Sequence, residues 1–521
     1  MRATVRSTAA LLSSLAFLSA LAGCATSKPA AVSRNEIRNA NFLDADAARV
    51  INRITWGVNS TALQEVEKLG LASFLESQLH PNTETVPALL QTRLAALPVG
   101  PRPLSQLIEA LEANRRKADA ISNDDDKKTA QQGYQQELNA LARNAAARSL
   151  LRDLYSPNQL QEQMTWFWMN HFSIHQGKSN LRAMVGDYED TAIRPHALGK
   201  FRDLLNAVVH HPAMLRYLDN EQNAVNHLNE NFARELMELH TLGVGNGYNQ
   251  QDVQELARIL TGVGTNFTSM VPTVRLDLRA QYVRQGAFEF NPNRHDFAQK
   301  RFLGQPMHRS GLAELDEAID RLSRHPATAR FISRKLAMFL VADEPPTALI
   351  DDMARTFQRS DGDIAATLAT LLNSPQFAAS LGHSFKDPLH YIVSSLRLAY
   401  NDRLISNTGP MLNWLNRMAE PLYGRQTPDG YPLVSSAWNS PGQMNTRFDV
   451  AKAIGSGSSG LFQTDGPEPR ETMAFPQLSN AAYFQWLQKK LSIATRQALE
   501  QAASPQEWNT LLLSSPEMMY R

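Results

Sequence analysis

Asn229–Gly262 reads NENFARELMELHTLGVGNGYNQQDVQELARILTG, and its pattern decides what kind of fold this chain adopts. Phe232, Leu236 and Leu239 recur at helical spacing, which predicts a helix with one apolar face. Asn229-Glu230-Asn231 stands at its start, where side-chain oxygens take up orphan backbone N–H groups. Gly243-Val-Gly-Asn-Gly247 follows a helix and not a strand, so it reads as a helix stop and tight turn, not a dinucleotide loop. Asn249 then caps a second helix, with Asp252 three residues on as its capping-box partner. The local plan is helix, glycine turn, helix.

Outward from this stretch the same period dominates. Ala47, Val50, Ile51 and Ile54 start a helical pattern, the chain turns at Trp56-Gly57, and Ser60 is the candidate N-cap of the next helices. Asn123–Lys128 (NDDDKK) reads as a solvated loop between two long helical patterns. Gln159–His175 crowds aromatic residues, and Trp166, Phe167, Trp168 and Phe172 are expected to be largely buried. His211-Pro212, His325-Pro326, Ser374-Pro375 and Ser515-Pro516 each place proline at a first helical position, where its missing N–H costs nothing. Val274–Gly304 breaks the pattern with short alternating runs, predicting a hairpin or three-stranded ribbon with its turn at Asn291–Asp296. Residues 405–445 are rich in turn formers, and Gly455–Gly460 is a surface loop. The predicted fold is mainly α, a multi-helical body over 45–521 with a small β ribbon near 274–304 and a subdivision near 265–310.

The chemistry-bearing residues concentrate in the central stretch. Glu235 and Glu238 lie three apart on one helical face, with Arg234 beside them, as paired metal-binding or catalytic carboxylates would. The bland reading is a surface ion pair between Arg234 and Glu238. His240 stands about 200° round from Glu238 on an ideal helix, so it does not converge with both. His171 and His175 are four apart and share a face only if their helix is continuous. A divalent metal held by His171, Glu235 and Glu238, completed by Asp219, Asn220, His295 or Asp296, is the candidate site. Asp219 and Asn220 equally suit a sugar or peptide cleft, or the closing of a helix. No Gly-x-Ser-x-Gly elbow occurs, which leaves a serine hydrolase without support.

Composition narrows the function class. With 52 Lys+Arg against 51 Asp+Glu, nothing argues for nucleic-acid or polyanion binding by the chain as a whole. Arg2 and Arg6 precede an apolar run over 9–22 that is short for a membrane span and ends Leu21-Ala22-Gly23-Cys24. This predicts a lipoprotein signal over 1–23, lipidation of Cys24, and a polar tether over 24–44. Cleavage would remove Arg2 and Arg6, leaving 50 basic against 51 acidic side chains. Cys24 is the only cysteine, so disulfides, iron–sulfur clusters and cysteine-bound zinc are excluded. Ala25, where an Asp would favour inner-membrane retention, points to an outer-membrane location in a bacterial envelope.

Several ordered stretches resemble the bacterial domain-of-unknown-function family 1800. They include ARVINRITWGVNSTALQEVEKLGLASFLESQL, MTWFWMNHFSIH, IRPHALGKFRDLLNAVVHHPAMLRYLDNEQN, the central stretch, HDFAQKRFLG, HPATARFISRKLAMFLV, GRQTPDGYPLVSSAWNSPGQMNTRF and SPEMMYR. Relatives often read Trp-His-Asn-His where Met169 now stands at the first histidine, and Thr-Gly-Trp where Val263 now stands. The resemblance implies an exported protein, and its family's usual neighbourhood implies an exported partner of sulfatase-like fold. Two function classes are open. One is a lipid-anchored, metal-dependent envelope enzyme, hydrolase-like, using the His/Glu set. The other is a non-catalytic scaffold or escort for another exported protein.

Overall fold

The central stretch folds as two short helices, Asn231–Glu238 and Gln250–Ile259. In the first, Phe232, Ala233, Leu236 and Met237 are buried, one apolar face two residues wide, while Leu239 is only half-buried. It stops at Glu238 because the N–H groups of Leu242 and Gly243 both turn back to the Met237 carbonyl, with Gly243 at φ +83°. The second helix opens with the expected capping box: Asn249 Oδ1 accepts from Asp252 N at 3.1 Å, and Asp252 Oδ2 accepts from Asn249 N at 3.0 Å.

This computed structural model describes residues 47–81, 86–97, 103–463 and 475–521. The signal over 1–23, Cys24 and the tether over 24–44 lie outside the described residues. The protein is mainly α-helical, with one three-stranded antiparallel sheet and one short two-stranded hairpin. None of the described helices is long and apolar enough to cross a membrane.

Helix Gln159–His171 runs through the core. Phe167, Trp168 and Phe172 are buried, whereas Trp166 is half-buried and stacks on Phe339 at 5.6 Å between centroids. The Trp168 indole N–H donates to the Ala197 carbonyl at 2.9 Å, which removes the penalty for burying it. All four proline sites begin helical turns, with the preceding His or Ser at the N-cap.

Three expectations need correction. Asn123–Lys128 is not a loop: Asn123 caps a helix over Asp124–Tyr155, and its three aspartates fill the first turn, where the helix dipole favours negative charge. Asn59, not Ser60, caps the second helix, since its side chain accepts from Ala62 N. The ribbon pairs Val283–Gln285 with Phe288–Phe290, as alternation suggested, but its third strand is Val263–Thr265, directly after the central stretch. The VRLDL run forms no strand, and its Leu276 lies exposed in a turn region.

Buried guanidinium groups tie distant segments together. Arg53 donates to the Leu340 carbonyl at 2.6 Å, to Ser380 O at 2.6 Å and to Arg521 O at 2.6 Å. Arg397, on the fully buried helix Pro388–Tyr400, donates to the carbonyls of Gly57 and Leu154 at 3.1 and 2.5 Å. A planar cation with five donors suits carbonyls left over at helix ends. Replacing Arg53 with Met leaves the Leu340 carbonyl without this donor in a dry core, while Ser380 O and Arg521 O keep backbone donors. The expected loss is about 1–3 kcal/mol in urea unfolding, and a loss under about 0.5 kcal/mol would contradict this role.

Candidate functional site

Helices Gln159–His171 and Asn231–Glu238 end against each other, and each end leaves orphan carbonyls. His171 Nε2 lies 3.0 Å from the His240 carbonyl, and His240 Nδ1 lies 2.9 Å from the His171 carbonyl. Each imidazole therefore donates its ring N–H to the other residue's backbone. This leaves His171 Nδ1 bare, and the Lys335 ammonium donates to it at 2.9 Å. His240 Nε2 meets no partner among the described residues. Burial, then the charge of Lys335, hold His171 well below the usual histidine range and His240 down to about 3. Both rings are neutral at pH 7. Burial also brings Lys335 down to about 8, opposed by the charge of Asp429.

The expected metal set is not assembled. Both ring nitrogens of His171 are committed to hydrogen bonds, so neither offers a lone pair. Among the described residues, no group of three or more His, Cys, Asp or Glu is placed to hold a metal ion. The helix ends at His171, so His175 lies beyond it and does not share its face.

Glu235, Glu238 and Arg234 sit on the half-exposed face of their helix. Arg234 pairs with Glu230 at 3.0 Å and Glu238 at 3.4 Å, each one helical turn away. Partly exposed pairs of this kind contribute about 0.3–0.5 kcal/mol each. Glu235 stands apart. Its carboxyl has no hydrogen-bonding side chain among the described residues, and partial burial and the neighbouring Glu238 charge raise its pKa against the pull of Arg234.

The remaining candidates are structural. Asp219, at φ +59°, pairs with Lys178 at 2.8 Å. Asn220 is buried and donates to the carbonyls of Leu260 and Val263, closing the second central helix onto the sheet. His295 Nδ1 meets the Thr261 carbonyl at 2.8 Å, and Asp296 pairs with Arg258 at 2.7 Å.

Sequence reasoning missed a strap over residues 420–431. Its backbone is held by Gln176 N to Tyr423 O at 2.9 Å, by Tyr217 Oη to Gln426 O at 2.8 Å, and by a two-way bond between Asn170 and the Tyr431 backbone. Gly430, at φ +78°, packs so tightly that a Cβ would come within 2.1 Å of the Asn170 carbonyl oxygen. Behind the strap lies a cavity of about 40 Å³ lined by Met169, Asn170, Glu189, Glu420, Tyr423 and Tyr431, among others. Burial, then Asp190, push the Glu189 carboxyl up to about 7, while Tyr423 Oη donates to it at 2.6 Å. Burial, then Asp387, raise Glu420 well above the carboxylate range. The space suits a water or two and not a substrate, whose sites usually run to ~300 Å³ or more. The strap's sequence, GRQTPDGY, signalled only a turn. Lys335, Glu189 and Glu420 carried no local signal, because partners far along the chain create their environments.

The buried neutral histidines set a pH dependence. Their folded pKa values lie below the unfolded value, so the stability they contribute is complete above about 6.5 and is lost as pH falls towards the folded values. His240→Asn keeps a donor near Nδ1 and removes the titration. Its unfolding free energy should fall less steeply from pH 6.5 to 4, by up to about 1.4 kcal/mol per pH unit. Equal slopes for the two proteins in denaturant titrations would sink this reading. Gly430→Ala should separately cost about 2 kcal/mol or more and expose the strap to limited proteolysis. Unchanged stability and cleavage would show that the strap is not clamped on Asn170.

Among known proteins, a family model described as "Protein of unknown function (DUF1800)" matches residues 49–520. No curated protein and no solved structure matches the chain. The match spans nearly every described element, from the helix that carries Arg53 to the turn before Arg521. The chain belongs to the DUF1800 family.

Proposed function

We propose that this is a lipid-anchored protein of the bacterial cell envelope, attached to the outer membrane through Cys24, whose helical body is a non-catalytic scaffold or escort for another exported protein. An exported protein of sulfatase-like fold is the partner its family resemblance suggests. One observation carries the choice over a metal-dependent hydrolase. Both nitrogens of His171 serve backbone and Lys335, so the His171, Glu235 and Glu238 set lacks its nitrogen ligand. The other polar residues of the central block cap helices or pair with one another. A second reading keeps one point in its favour: the Glu235 carboxyl, half-buried and without a hydrogen-bonding side chain among the described residues, is raised by burial and by Glu238, which suits acid–base chemistry without a metal.

Two measurements separate these readings. The purified protein should hold no stoichiometric divalent metal after dialysis, and a chelator should leave its melting temperature unchanged. A molar equivalent of zinc that disappears in Glu235→Ala would restore the metal enzyme. For the anchor, Cys24→Ala should leave the precursor unprocessed or release the protein from membranes. Normal cleavage with unchanged membrane fractionation would refute lipidation.

A further inference from the structure

A polar groove with no histidine among its described lining residues has a volume of about 810 Å³. Helix Asp124–Tyr155 forms one wall with Asn139 and Arg143, and helix Gly409–Arg417 faces it with Asn413. Arg93, Arg182 and Gln176 add to the polar lining, and three alanines of the long helix add small apolar side chains that leave the space open. Among the described residues, the groove carries three arginines, seven Asn or Gln side chains and no carboxylate. Such a balance is unlike the rest of a chain whose charges nearly cancel.

Two of the guanidinium groups are held in place. Arg182 donates to Asn139 and Gln135 at 2.6 Å each, and Arg93 donates to the Ser406 carbonyl. Their Nε atoms are nevertheless buried without an acceptor among the described residues. Arg143 is exposed at the groove's side. Fixed, planar donors of this kind fit carboxylate or phosphate oxygens. Amides supply a donor and an acceptor together, which matches a hydroxyl group that is also both. Among the described residues no aromatic ring lines the groove, so they offer no base stacking. The walls are helices without a free strand edge, which removes the usual way of holding an extended peptide.

We infer that this groove binds an acidic sugar chain, with the arginines taking its carboxylates and the amides its hydroxyls. Its volume falls in the ~300–1,000 Å³ range of small-molecule sites. The inference stands independently of whether the body escorts another protein.

Calorimetric titration of the purified protein with tetragalacturonate tests it, alongside the neutral methyl ester of the same sugar and a tetraglutamate peptide. Saturable binding of the acidic sugar is expected, with the ester at least about tenfold weaker and the peptide weaker still. Arg143→Glu reverses a charge at the groove, and Asn413→Asp adds one that repels a carboxylate. Both positions are exposed, so each variant should keep the parent melting temperature and lose affinity at least about tenfold. No saturable binding of tetragalacturonate, equal binding of the ester, preference for the peptide, or parent affinity in both variants would overturn the assignment.

Discussion

Two helix ends in this protein cap each other through their own histidines, and much of the core is arranged to keep that contact dry. A carbonyl at a helix C-terminus has no intrahelical donor, and burying it unpaired costs about 1–3 kcal/mol. His171 and His240 solve the problem reciprocally. The solution demands neutral rings in fixed tautomers. Phe172 packs against both rings, 4.5 Å from His171 and 5.1 Å from His240 between centroids, and Phe167 stacks parallel to His171. Lys335 then reaches the one bare nitrogen of His171. Three segments widely separated in sequence meet at this point.

The consequence for function is that a dense run of ionisable residues need not be an active site. Arg234 is shared by Glu230, Glu238 and Gln250, Asn220 and Asn223 hydrogen-bond backbone, and Asp252 caps a helix and also accepts from Leu303 N. Within the run, the Glu235 carboxyl has no hydrogen-bonding side chain among the described residues, and outside it lies the arginine- and amide-lined groove between the long helix and the helix after residue 408. The strap over 420–431 separates that groove from the small acidic cavity, and Leu422 lines both. A scaffold with a ligand groove accommodates these facts with fewer unassembled parts than a metal hydrolase does.

Local grammar was legible in the sequence and long-range chemistry was not. The capping box at Asn249 and Asp252, the proline-led helices and the buried Phe167 and Trp168 all depend on residues within a few positions of one another. Asn123–Lys128 misled because a run of acids looks solvated, while the same acids suit the first turn of a helix. Glu235 and Glu238 do share a helical face, but a ligand set also needs a third group with a free lone pair. His171 has none, and only the fold reveals that His240 and Lys335 are what it meets. The third strand, Val263–Thr265, was hidden for a similar reason: three residues show no alternation until Phe288–Phe290 pairs with them.

Selective ¹⁵N labelling of histidine, read through ring nitrogen and proton correlations at pH 7, reports whether the two histidines cap each other as neutral rings. The reciprocal cap requires a neutral His171 protonated at Nε2 and a neutral His240 protonated at Nδ1, both indifferent to added zinc. A charged ring at either position, the opposite tautomer at His171, or ring nitrogen shifts that follow zinc stoichiometrically would contradict it.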